Sequence, residues 1–272
     1  MAGLKLSVIV TTKNEAANIV ASLRPFWPFV DSGEVELIVV DNASADDTQK
    51  LARESGARVL EKGPERSAQR NFGVREAKAP WVVVLDADMI MPESTIREIL
   101  GATGATGAAD AYWIPEVRTG EGLRTKARNF ERSFYDSTCI DALRLFRKDL
   151  FERVGGYDES LIAGGEDWEL DIRILAAGAK CRILRGHLIH NEKLLSLKSL
   201  LKKKAYYAKS LEVYKAKWPD HPAVRKQFSA WYRFAGVFIE HGKWRKLLRH
   251  PVLAAVMYFE RLLVGFVYLL GR

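Results

Sequence analysis

Cysteine is nearly missing from this chain: Cys139 and Cys181 are the only two in 272 residues. They stand far apart with no C-x-x-C spacing, which excludes a zinc ribbon and argues against a disulfide framework, so a reducing compartment is expected. No G-x-G-x-x-G follows the first strand-like run and no G-x-x-x-x-G-K-[ST] occurs, so dinucleotide binding and P-loop hydrolysis both lose support. The small-residue stretch from Gly101 to Gly107 lacks the lysine and reads as a helix end and loop. No internal repeat or low-complexity linker divides the chain. A long uncharged apolar run is missing too. The stretch from Val252 to Leu270 approaches spanning length, but Glu260 and Arg261 sit near its middle. A central charge costs about 2.5–3.5 kcal/mol on insertion scales, so a helix lying in a membrane interface or docked in an oligomer is expected rather than a simple span. The N-terminal apolar run, ending at Val10, is too short for a signal peptide and reads as a first strand.

What is present is an alternation. Three β-branched apolar runs, Leu4–Val10, Glu36–Val40 and Trp81–Leu85, each end in polar residues and are separated by helical stretches. That pattern belongs to buried parallel strands in a doubly wound α/β sheet. Ser44 with Asp47 reads as a helix N-terminus, the helix running to about Ser55 before Gly56; a further helix covers 65–77 ahead of Pro80. Ligands of such sheets collect at the carboxyl ends of the strands. Here those ends carry Asn14/Glu15, Asp41 and Asp86/Asp88. A single aspartate there serves a turn equally well; three acidic ends on one edge point to a site.

Four segments in order, Ser7–Glu15, Val40–Ser44, Leu85-Asp-Ala-Asp-Met89 and Gly155-Gly-Tyr-Asp-Glu159 followed by Gly165-Glu-Asp-Trp-Glu-Leu170, resemble family 2 glycosyltransferases over residues 5–190. The resemblance implies a GT-A Rossmann-like, mostly parallel sheet with a C-terminal helical extension, and nucleotide-sugar-dependent, inverting transfer. A catalytic domain is expected over 1–190, and the charge distribution sets apart a basic amphipathic tail over 191–272. As the donor breaks, negative charge grows on a departing diphosphate, which a hard cation, Mn²⁺ or Mg²⁺, neutralises through carboxylate and phosphate oxygens. By resemblance Asp88 is the metal ligand, and Asp86 with Ala87 faces the donor sugar or ribose. His190, in competition with His187, is a third ligand whose imidazole suits Mn²⁺. Thr11 and Glu15 approach base and ribose, Asp41 bonds the base, and Arg70 pairs with the diphosphate while Arg66 reads as a solvated face. Asp167, beside Glu166, is the general base, since an aspartate is ionised at neutral pH; helix capping is the competing role of that pair. Trp168 is an acceptor wall or a core residue. Thr11 and Lys13 stand where the family often has proline and an aromatic residue, which leaves the base open. Arg118, Arg124, Lys126, Arg128, Arg132 and Arg144 fit either an anionic acceptor or exposed helix charges.

The charge is uneven. Residues 191–272 hold 17 Lys and Arg against 5 Asp and Glu, whereas 1–190 hold 25 against 29. From Leu197 onward Leu200, Leu201, Tyr207, Ala208, Leu211, Tyr214 and Trp218 share a helical stripe, interrupted by Lys204 and Lys215; Trp231, Tyr232, Phe238 and Trp244 continue it among basic residues. Such a tail fits an anionic bilayer at the cytoplasmic face of a membrane, or packs back on the catalytic domain with its lysines in water. The expectation is a peripheral enzyme with a lipid-linked or glycan acceptor. A polyprenyl-phosphate sugar synthase is the alternative. A nucleic-acid-binding role is disfavoured, because no recognition motif is present and acidic strand ends repel phosphate.

Overall fold

The computed structural model describes residues 3–104, 108–162, 164–191 and 210–270, with residues 264–270 described by backbone alone. Among the described residues ten strands and eight leading helices build the body. The strands are β1 (Leu6–Thr12), β2 (Val35–Asp41), β3 (Arg58–Glu61), β4 (Trp81–Asp86), β5 (Met89–Ile90), β6 (Ala111–Trp113), β7 (Glu116–Arg118), β8 (Leu143–Arg147), β9 (Cys181–Ile183) and β10 (Leu188–His190). The helices are α1 (Ile19–Leu23), α2 (Trp27–Asp31), α3 (Thr48–Glu54), α4 (Arg66–Glu76), α5 (Glu93–Gly104), α6 (Gly122–Arg132), α7 (Lys148–Arg153) and α8 (Glu166–Ala176). Seven strands form one sheet in the order β3-β2-β1-β4-β8-β6-β9, in which β8 alone runs against the rest; β5, β10 and β7 form a smaller one. This is the mostly parallel sheet that the strand pattern implies, in the GT-A arrangement that the resemblance implies.

Successive side chains of a strand face opposite sides, so a run buried on both faces must be apolar throughout. Val8, Val10, Val83 and Leu85 enter one layer, beneath Ile19, Leu23, Phe26, Ile96 and Ile99. Ile9, Ile38, Val40, Val82 and Val84 enter the other, against Val74, Phe146, Leu170 and Ile174. Helix α4 approaches β1 closely at Gly73, where an added Cβ would stand 2.4 Å from Ile9 Cγ2.

Ser44 does not cap a helix. Helix α3 begins at Thr48, and Ser44 instead donates to Asp41 from both its backbone N–H and its hydroxyl. The buried carboxylate at the end of β2 needs donors and takes the nearest loop residue.

The tail packs on the body. Phe130, Phe134 and Ile140 share a core with Tyr232, Val237, Phe238 and Met257. Tyr214 and Val224 close over Leu161 and Ile172. The stripe from Leu200 to Ala208 lies outside the described residues; of its remainder, Tyr214 is buried, Leu211 and Trp218 half-buried. The C-terminal helix, Pro251–Leu270, lies along α6, and the charges that interrupt its apolar run pair with that helix. Glu260 accepts from Arg124 at 2.8 Å and pairs with Arg128 at 3.4 Å, while Arg261 pairs with Glu131 and donates to the Tyr135 hydroxyl and the Arg233 carbonyl. Among the described residues no helix is long and apolar enough to cross a membrane. Trp231, Leu248, Val252, Phe259 and Leu262 face outward.

Candidate active site

Parallel register brings the polar strand ends level: Thr11 pairs with Asp86 across β1 and β4, and Thr12 with Asp41 across β1 and β2. The Thr11 hydroxyl donates to Asp86 Oδ1 at 3.3 Å. After Asp86 the chain turns through Ala87 and Asp88 into β5, which pairs with β10. That antiparallel pairing carries His190 to Asp88: the imidazole Nε2 stands 3.2 Å from Asp88 Oδ2, and the Asn191 N–H donates to the Asp88 carbonyl. Helix α8 enters the same rim from the far side. Gly165, at φ +88°, opens it, and Glu166, Asp167 and Glu169 occupy its first turn, where negative charge is favoured by the helix dipole.

Two cavities result. The smaller, about 300 Å³, is lined by Thr11, Glu15, Asn42, Asp86, Ala87 and Asp88 among others. The larger, about 700 Å³, is lined by Glu116, Arg144, Glu166, Asp167, Trp168 and further arginines. Arg66 and His190 border both, so the chambers meet there.

Behind that junction lies Arg70, 1% exposed. Its Nη1 donates to Asp167 Oδ1 at 2.7 Å and stands 3.5 Å from Glu166 Oε1; its Nη2 donates to Asp86 Oδ1 at 3.2 Å, and its guanidinium lies over the Tyr157 ring. One cation therefore ties an aspartate of the small chamber to an aspartate of the large one. Loss of water opposes ionisation of Asp86, but Arg66, Arg70 and Arg144 outweigh it and hold the carboxyl well below the usual range. Burial and the adjacent Asp167 raise Glu166, against Arg70. Glu116 is opposed by burial yet held down to about 2 by Arg144 and Arg132. No local pattern in the chain marks Glu116, because its partners Arg132, Arg144 and His190 come from three distant segments.

The other expected residues fall as follows. Asp41 is fully buried, its carboxylate taken by Ser44 and by Gln49 Nε2 at 2.8 Å, and it does not line the small chamber. Arg70 lines neither chamber, whereas Arg66, 3.6 Å from Asp86 Oδ2, lines both. Trp168 lines the large chamber and donates from Nε1 to the Ile140 carbonyl. His187 is held through its backbone by Thr95. Of the arginines near α6, Arg118, Arg132 and Arg144 line the large chamber, while Arg124 and Arg128 turn to Glu260.

Among the described residues no cluster of three or more His, Cys, Asp or Glu converges as a metal cage. The pair Asp88 and His190 supplies one carboxylate and one imidazole on a cavity wall, a donor set that fits Mn²⁺ or Mg²⁺ when ligand phosphates provide the remaining oxygens.

A seven-stranded, mostly parallel sheet thus carries an acidic rim that opens on two joined chambers. The chain belongs to glycosyl transferase family 2, whose model matches residues 7–155. It is 28% identical over 193 residues to a succinoglycan biosynthesis protein of Rhizobium meliloti, covering 63% of this chain and 58% of that protein, so it spans under two thirds of that relative's length. Its fold is that of a Pyrobaculum calidifontis mannosyltransferase solved with GDP-Man and Mn²⁺ (TM-score 0.61, 20% identity, 98% of this chain and 81% of that one). It is shared also by the Mycobacterium tuberculosis glucosyl-3-phosphoglycerate synthase solved with Mn²⁺, UDP and glucosyl-3-phosphoglycerate (TM-score 0.58, 20% identity, 78% and 80%).

Proposed function

We propose that the chain is a metal-dependent, inverting glycosyltransferase moving a sugar from a nucleoside diphosphate to a hydroxyl of a lipid-linked or glycan acceptor. The observation that carries this reading is the meeting of Asp86, Asp88, His190 and Asp167 around two chambers joined at Arg66 and His190. The nucleotides and Mn²⁺ bound by the two structural relatives support it.

The small chamber takes the donor, with Thr11 and Glu15 toward the nucleoside. Asp88 and His190 would hold the divalent ion, which when bound neutralises charge on the departing diphosphate. Asp86, kept ionised by its arginines, accepts from donor hydroxyls. Arg66 adds a positive charge where the diphosphate leaves. The acceptor hydroxyl enters from the large chamber. Its oxygen bonds to the anomeric carbon as the bond to the diphosphate oxygen breaks, and its proton passes to Asp167. Arg70 occupies Asp167 Oδ1, so Oδ2 is the oxygen that takes the proton. Positioned proton transfer of this kind contributes about 10²–10⁴-fold.

The test is a panel of nucleotide sugars with Mn²⁺ or Mg²⁺, scoring donor binding, slow hydrolysis and transfer. Asp88→Ala is expected to lose cation-dependent donor binding, and Asp167→Asn to bind donor but lose transfer. Equal binding of every donor with and without cation would sink the proposal. Unimpaired turnover of Asp167→Asn on a polyprenyl phosphate would replace it with the phosphate-acceptor reading, in which the attacking oxygen is already ionised.

The same reading extends to location. The outward-facing Trp231, Trp244, Leu248 and Phe259, with the exposed Arg245 and Arg249 flanking Leu248 in the chain, are a combination suited to an anionic bilayer at the cytoplasmic face, where nucleotide sugars are available.

A further inference from the structure

Among the described residues five arginines line the large chamber, Arg66, Arg118, Arg132, Arg144 and Arg233, and Arg66 stands 3.6 Å from Asp86. Arg132 and Arg144 are committed to Glu116, at 3.3 and 2.8 Å, and Arg132 also to Asp141. Arg233 is different. It comes from the C-terminal extension, and its Nη1 is buried without a hydrogen-bond partner among the described residues. Its neighbour is the Tyr135 ring, whose face lies 6.0 Å from the guanidinium. The backbone under it is fixed, since Arg261 donates to its carbonyl. A half-buried guanidinium with an unmet donor beside a 700 Å³ chamber is costly unless a ligand meets it. A planar fork of N–H groups matches a phosphate in shape as well as charge.

We infer that the large chamber receives a hydroxyl acceptor that also carries a phosphate group, and that Arg233 is its anion anchor, with Arg118 on the same wall. This rests on the transferase reading and adds the acceptor's chemical class. With the phosphate held at Arg233, a neighbouring hydroxyl is presented toward Asp167, and the extension rather than the sheet selects the acceptor. The phosphate is a handle and is not consumed.

Equilibrium binding tests this without any sugar donor. Glycerol 3-phosphate, short-chain phosphatidylglycerol below its micelle concentration, and glycerol are titrated calorimetrically into the full chain. One or both phosphate compounds bind and glycerol does not; which one binds says whether the source is soluble or lipid. Arg233→Met weakens that binding about tenfold or more, the scale of a lost charge-assisted pair, and Arg233→Lys restores part of it. Arg97→Met, exposed on α5 and absent from both chamber walls, controls for net charge and leaves binding as in the wild type. If neither phosphate compound binds, or if Arg233→Met and Arg233→Lys bind as tightly as the wild type, the inference is overturned. Donor hydrolysis by the wild-type chain, measured separately, reports on the transferase reading, so either can fail alone.

Discussion

Replacing Arg70 with methionine tests the electrostatic framework of the site directly. The side chain is 1% exposed and serves Asp86 at 3.2 Å, Asp167 at 2.7 Å and Glu166 at 3.5 Å. Methionine fills much of the volume but leaves three acidic groups facing one another without their shared cation. Removing one partner of a buried ion pair costs about 3–5 kcal/mol, a large share of the roughly 5–15 kcal/mol that holds a domain folded. The melting temperature should fall by roughly 6–20 °C at pH 8. Above pH 4 the sign of the pH effect follows from Glu166, which burial and Asp167 raise above its ordinary 4.5 against Arg70, and below that from Asp86. The folded value of Asp86 is depressed, so in the wild type its stabilisation is present above the ordinary 3.8 and is lost as pH falls through the folded value. In Arg70→Met that stabilisation is reduced and the crowded carboxyls gain by protonation. The gap between variant and wild type therefore narrows as pH falls from 8 toward 4. Arg70→Lys recovers only part, because one ammonium cannot serve Asp86 and Asp167 as a planar fork does. Denaturant unfolding at pH 8, 6 and 4 decides the matter. A deficit under about 1 kcal/mol at pH 8, within what an exposed pair contributes, or one independent of pH, would refute the reasoning.

Gly73→Ala, although alanine is the better helix former, should destabilise the fold by about 1–3 kcal/mol in chemical unfolding, because its Cβ would press on Ile9 and Val40. Asp141 is raised by burial, partly offset by Arg132, to about 6 from an ordinary 3.8. Its contribution is therefore greatest below 3.8 and is lost as pH rises through 6. Unfolding curves of Asp141→Asn and the wild type should accordingly diverge in the variant's favour by up to about 3 kcal/mol between pH 4 and 7. On the membrane proposal, Phe259→Asp with Leu262→Asp should lower co-sedimentation with anionic vesicles several-fold while leaving the melting temperature nearly unchanged; equal sedimentation would count against a bilayer contact at that face.

Much of the architecture was legible because burial on both faces of a sheet demands continuous apolar runs. Strands β1, β2 and β4 lie within two residues of where those runs predict them. Helix α4 likewise matches the 65–77 reading. Strand β3, Arg58–Glu61, has no buried residue and gave no such signal. The short strands β5, β7 and β10 are pairings between distant segments, invisible to any local window. The same division holds at the rim. Asp86 and Asp88 were readable as a polar strand end, and Asp167 only through the family resemblance; the first two line the small chamber and the third the large one. The contrast between Arg66 and Arg70 was not readable, since residues four apart share a helix face. Which of them is sealed in depends on carboxylates arriving from β4 and α8. Asp41 shows another strand end whose surroundings no local window gives: its carboxylate accepts from Ser44 in the following loop and from Gln49 on α3.

The ring cluster where the extension meets α6 has a bearing on how such chains can be recombined. Phe134 stacks edge-on against Phe238, which in turn meets Tyr258, and Phe130 contacts Phe134 from the opposite side. A donor-handling half grafted onto some other tail would arrive with those rings bare, and bare aromatic surface invites aggregation. Exchange of halves in this scaffold thus requires matching a seam of aromatic side chains as well as joining two stretches of backbone.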